Sequence, residues 1–111
     1  MRPLLLAAKV SPEALAAMDK FHREIVQQVE AAIGANEWTV IGMASNPFVA
    51  KARKHLSSKG KTFKYLEYGS YIKCWKQRLA IKMWSGWPTF PQVFHNGVLI
   101  GGCDDLKKYL P

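Results

Sequence analysis

The sequence predicts an α/β domain in which a four-stranded mixed sheet is covered by helices on both faces. Three observations carry that prediction. The apolar run Trp38-Thr39-Val40-Ile41-Gly42-Met43 is followed by a helical pattern from Pro47 and then by the β-rich stretch Thr62 to Glu67, the order of a βαβ unit with a right-handed crossover. Pro91-Gln92-Val93-Phe94-His95 and Val98-Leu99-Ile100 flank Asn96-Gly97, which suits the positive φ angles of a type I′ hairpin turn. Apolar residues at helical spacing precede, separate and follow these strands.

The elements follow in order. Ser11-Pro12-Glu13 starts a helix, with Ser11 as cap and Pro12 in the first turn. Leu15, Met18, Phe21 or His22, Ile25, Val26, Val29 and Ile33 recur at helical spacing, so one helix is expected from Pro12 to Ile33, closed by Gly34 and Asn36. Trp38 to Met43 reads as a strand buried on both faces. From Pro47, Phe48, Ala52, His55 and Leu56 share one side of a second helix that Gly60 ends. Thr62 to Glu67 alternates as a strand, and Ile72, Trp75, Leu79 and Met83 mark a third helix, ended by Ser85-Gly86-Trp87-Pro88. After the hairpin, Gly101-Gly102 breaks the strand and Asp104 to Leu110 forms a short last helix. The 111 residues make a single domain, with residues 1–36 as an N-terminal helical extension and residues 37–111 as the core.

Composition narrows the function classes. With 49% apolar and 12% aromatic residues the chain is globular. In "MRPLLLAAKV" Lys9 interrupts the apolar run too early for a signal peptide, and no stretch approaches the roughly 20 apolar residues of a membrane span. A cytoplasmic location is expected, with Cys74 and Cys103 reduced. The net charge of +8 is uneven: ten of the 16 basic residues lie between Lys51 and Lys82, opposed there only by Glu67. Such a field attracts anions, such as a peptide carboxylate or an acidic protein partner. A nucleic-acid role is disfavoured because no binding motif appears, although Phe63, Tyr65, Tyr68, Tyr71 and Trp75 lie within the same stretch. Metal binding is not expected, since His22, His55, His95 and the two cysteines lie apart in the sequence. His95 is expected to face solvent, and Cys74 to be partly buried beside Trp75.

The stretch "WPTFPQVFHNGVLIGGCDDL", with this element order, resembles the glutaredoxin branch of the thioredoxin fold over about Trp38 to Leu110. The family's Thr-x-Pro and Gly-Gly-x-Asp segments correspond to Thr89-Phe90-Pro91 and Gly101-Gly102-Cys103-Asp104, and Trp87 to Gln92 is most similar to the monothiol glutaredoxins. The resemblance implies a cis Pro91, a Phe90 backbone that pairs with glutathione, and a site at Gly102, Cys103 and Asp104 for the γ-glutamyl end. A glycine pair lets a backbone approach closely, and free N–H groups at a helix start attract a carboxylate.

One part of the pattern is missing. The family's Cys-Pro-x-Cys or Cys-Gly-Phe-Ser falls on Asn46-Pro47-Phe48-Val49, so both sulfur positions are vacated, and Met43-Ala44-Ser45 lacks the lysine the family places there. Thiol–disulfide exchange needs a thiolate, which an amide does not replace. The same gap removes the ligand of an iron-sulfur cluster, so none is expected. "KARKHL", "YLEYGSY" and "KMWSGWPTFP" also resemble an atypical glutaredoxin-like subgroup with Asn-Pro in this position.

Three readings follow. The first is a groove for glutathione or a peptide-like ligand without exchange chemistry. The second is an enzyme that works through Cys103, whose thiol pKa a helix start can lower, or through Asn46 as a donor to a ligand sulfur. The third is a basic binding module using Lys51 to Lys82. Lys51, Arg53 and residues near Trp87 are the candidates for the glycine carboxylate of glutathione.

Overall fold

The structure, a computed structural model, describes residues 9–111; the rest of the N-terminal segment, including most of the run read as too short for a signal peptide, lies outside the described residues. Five helices and four strands follow one another: α1 (Pro12–Lys20), α2 (Arg23–Ala35), β1 (Trp38–Gly42), α3 (Pro47–Ser58), β2 (Lys64–Glu67), α4 (Trp75–Ser85), β3 (Gln92–His95), β4 (Val98–Gly101) and α5 (Cys103–Tyr109). The sheet order is β2-β1-β3-β4, with β1 parallel to β2 and antiparallel to β3, and β3 antiparallel to β4. The fold class is therefore the predicted α/β, thioredoxin-like one.

All five residues of β1 are buried, because helices cover both faces of the sheet. Its side chains alternate. Trp38 and Val40 join Ala52, Leu56, Val93, Cys103 and Leu106 on the face covered by α3 and α5. Ile41 and Met43 join Val29, Ile81 and Phe94 on the face of α2 and α4. Gly42 is needed where β1 passes α3 and β2. A Cβ there would lie 2.6 Å from Val49 Cγ1 and 3.0 Å from Tyr65 Cε1. Gly42→Ala is expected to lower stability by about 1–3 kcal/mol through overpacking, read as a lower urea midpoint.

Five expectations need correction. The single helix from Pro12 to Ile33 is two helices, broken at His22, which is left-handed at φ 46° and ψ 46°. No residue of α1 is buried, and Leu15 and Met18 remain 43% and 50% exposed. The apolar spacing runs on through the break, but only α2 lays Val29 and Ala32 against the sheet. Neither glycine nor proline marks the break in the sequence.

The third expected helix is α4, which begins at Trp75 and leaves Ile72 outside it, and the residues that marked it are exposed: Ile72 86% and Trp75 56%. Its buried residues are Arg78, Ala80 and Ile81. Arg78 is the reason for the shorter helix. Its guanidinium donates to the carbonyls of Tyr68 and Lys73, while the Ser70 hydroxyl accepts from the N–H groups of Ile72 and Lys73. These bonds hold residues 69–74 as a turn in place of a first helical turn, and Cys74 ends it in the left-handed region at φ 63°. Cys74 is exposed, not partly buried.

In α3, Phe48 is 53% exposed, because the cap at Asn46 sets a helical phase in which Val49, Ala52 and Leu56 face the core. His95 does not face solvent freely. Its ring stacks on Trp38 at 3.9 Å, and its nitrogens contact the Tyr109 hydroxyl at 2.8 Å and the Glu37 carboxylate at 3.0 Å. These contacts tie the ends of β3 and α5 to the start of β1. Smaller differences lie at element ends: β2 begins at Lys64 and not Thr62, and α5 begins at Cys103.

Candidate functional site

A groove of about 450 Å³ opens between the start of α3, the loop before β3 and the start of α5. Asn46 and Phe48 line one side, Phe90 and Pro91 the floor, and Gly102, Cys103 and Asp104 the other side. Three segments distant in sequence thus meet near the C-terminal end of β1.

Each wall has a local cause. Asn46 caps α3, its Oδ1 accepting from the N–H groups of Phe48 at 2.9 Å and Val49 at 3.2 Å, and Pro47 fits the first helical turn. The amide nitrogen of Asn46 lies 3.5 Å from the Phe90 carbonyl. Its oxygen is therefore committed to the helix, and its nitrogen is turned toward the groove floor. The Phe90-Pro91 bond is cis, as the resemblance implied. Gln92, fully buried, donates to the Trp87 carbonyl at 3.1 Å and holds the loop before β3 against the sheet. Gly101 has φ 127°, and a Cβ there would meet the Asp105 carboxylate at 2.6 Å. That carboxylate accepts from the Gly102 N–H at 3.0 Å, so Asp105 closes the start of α5 while Asp104 stays exposed.

The sequence-derived candidates do not all converge. Asn46, Phe48, Phe90, Pro91, Gly102, Cys103 and Asp104 share the groove. Val49 is 2% exposed and belongs to the core, and Pro47 lines a separate depression with Ser45, Arg53 and Tyr65. Of the basic candidates, Arg53 lies over the Tyr65 ring at 3.9 Å and Lys51 over the Phe48 ring at 5.4 Å. The groove-lining cation is Lys82, on the last turn of α4, which the sequence reading passed over together with Met43 and Tyr71. Lys82 carried no signal beyond its charge. Tyr71, an aromatic residue just after the punctuation Gly69-Ser70, had one.

Over 93 residues the chain is 53% identical to a glutaredoxin-like protein of Dictyostelium discoideum, spanning 84% of this chain and 76% of that one. The chain belongs to the glutaredoxin family. It is also 36% identical to glutaredoxin 4 of Buchnera aphidicola, over 77% of this chain and 81% of the relative. The buckwheat glutaredoxin–glutathione complex superposes with a TM-score of 0.67 over 78% of both chains, and its 21% identity makes this a likeness of fold. No family model matches the chain.

Cys103 lines the groove but is only 5% exposed, and burial pushes its thiol pKa up, against the lowering expected of a helix start. Lys107 and Lys51 pull it down and Asp104 pushes it further up, without reversing the effect of burial. Beside the groove, burial and the Glu67 carboxylate push the Tyr65 hydroxyl up to about 12 from 10.0. A raised folded-state pKa holds the proton more tightly than the unfolded chain does, so this stabilisation is complete below pH 10 and is lost as pH rises toward 12. Tyr65→Phe is expected to flatten the alkaline fall of the urea midpoint over that window.

Proposed function

We propose that this glutaredoxin-family protein binds glutathione, or a peptide resembling it, and does not perform thiol–disulfide exchange. One observation carries the reading. The Phe90-Pro91 backbone and the adjoining Gly102-Asp104 turn line one groove, and a helix-capping amide, Asn46, fills its reactive position. In this reading the Phe90 backbone pairs with the ligand's cysteinyl backbone, the Asp104 carboxylate takes the α-ammonium, and Lys82 takes a carboxylate. The relative from buckwheat, crystallised as a glutathione complex, supports the choice of ligand at the level of fold.

The residues present do not fit an iron-sulfur cluster. Such a cluster needs a thiolate at the position of Asn46, where the side-chain oxygen is already bonded to two backbone N–H groups. An exchange reaction through Cys103 is disfavoured by its burial and raised pKa. The basic-module reading is weakened because Arg78 is buried under the turn it braces and Arg53 is stacked on Tyr65.

Calorimetric titration with reduced glutathione tests the proposal. Binding in the micromolar to low-millimolar range is expected, weakened by about 1 kcal/mol or more in Asp104→Ala, the scale of one charge-assisted hydrogen bond. No binding into the high-millimolar range overturns the reading. Parallel assays of the wild type and Cys103→Ser for reduction of a glutathione mixed disulfide are expected to give the same background rate. A wild-type rate lost in Cys103→Ser would restore the enzyme reading.

A further inference from the structure

The groove does more than lack a nucleophile; it places apolar surface where one would act. The Asn46 oxygen is committed to Phe48 and Val49, and its nitrogen lies 3.5 Å from the Phe90 carbonyl, so the residue at this position has little to offer a free thiol. The Cys103 sulfur is recessed, and burial raises its pKa. Around Asn46, by contrast, Phe48 is 53% and Tyr71 66% exposed, and both rings line the groove. Neither ring belongs to either core cluster, so their apolar faces are open to a ligand. Tyr71 is also held in place: it lies in the turn that Arg78 and Ser70 fasten from below.

Granting the glutathione groove proposed above, on which this rests, we propose that its preferred occupant is a thioether conjugate of glutathione, with the sulfur's substituent between Phe48 and Tyr71. A thiol at that point gains only the second N–H of Asn46. An alkyl or aryl substituent gains two aromatic faces and removes them from water. A thioether sulfur is a weak acceptor that tolerates apolar surroundings, and no bond to it forms or breaks in the complex. Lys82 lines the groove, 5.6 Å from the Phe90 ring centroid, and Lys51 lies 5.4 Å from the Phe48 ring centroid, a positive field suited to a ligand with two carboxylates.

The test compares reduced glutathione, S-methylglutathione and S-hexylglutathione by calorimetric titration of the whole chain. S-methylglutathione is expected to bind about as well as glutathione, and S-hexylglutathione about ten-fold or more tighter, the gain from burying roughly two methylene groups. Phe48→Ala and, separately, Tyr71→Ala are expected to reduce the S-hexyl to glutathione affinity ratio toward one. Both side chains are more than half exposed, so their truncation leaves the core intact. Glutathione binding with no gain for S-hexylglutathione overturns the inference and leaves the proposed function standing. A gain that survives both substitutions also overturns it, by placing the substituent elsewhere. Failure of all three ligands to bind overturns the proposed function, and the inference with it.

Discussion

Asn46→Cys is expected to turn a background rate of glutathione mixed-disulfide reduction into one roughly ten-fold or more above the wild type, because exchange chemistry requires a thiolate and the wild type has none at this position. The geometry favours the new thiol. The N–H groups of Phe48 and Val49, which now donate to the Asn46 oxygen, would face the new sulfur at the start of a 12-residue helix. Donors and dipole together lower a thiol pKa at such a place, and Lys51 adds a cation one turn further on. Alkylation by iodoacetamide across pH measures that pKa directly. The substitution also removes an Asn cap, at a cost of about 0.5–2 kcal/mol, so a lower melting temperature is expected alongside the gained activity. A variant that folds and carries a low-pKa thiol yet reduces no glutathione mixed disulfide would show that the groove does not take glutathione.

Leu106→Ala is expected to be the most destabilising of the substitutions considered, by about 2–5 kcal/mol. Leu106 is fully buried and is the residue of α5 that reaches deepest between β1, β3 and α3, packed with Trp38, Val40, Leu56 and Val93. The cavity it leaves is walled by strands that cannot collapse into it, which places the cost well above simple transfer of the missing methyl groups. Urea unfolding should show a lower midpoint at an unchanged slope. Because α5 also carries Cys103 and Asp104 to the groove, faster amide hydrogen exchange at residues 103–106 is expected at the same time. A loss under about 1 kcal/mol would mean that α5 is held mainly by its other contacts, such as the His55 bond to the Leu110 carbonyl.

The elements most legible in the sequence were those whose signal is local. Asn46-Pro47 announced a helix start and Asn96-Gly97 a hairpin, since cap and turn chemistry act over three or four residues. The run from Trp38 to Met43 announced a central strand because only a doubly covered strand affords six residues with so little polarity. The candidate site was legible at Phe90-Pro91 and Gly101-Gly102 through their resemblance to the glutaredoxin segments, since singly a strand-edge proline or a glycine pair has ordinary structural uses. Lys82 was not legible, since nothing about a lysine in a helix tells which side of the sheet's edge it will face. Ile72, Trp75, Leu79 and Met83 announced a helix but neither its start nor its buried face, since all four are exposed and spacing reports a shared face without saying which way it points.

By itself the sequence determined the class of fold, the order of its elements and the absence of a cysteine from Asn46 and Val49, because these depend on residue type and short-range pattern. Tertiary structure alone decided the break at His22, the burial of Arg78 beneath its turn, the stacking of His95 on Trp38 and the recessed thiol of Cys103. Each of these depends on what a distant segment places beside the residue, and burial and hydrogen bonding across the fold outweigh local preference there.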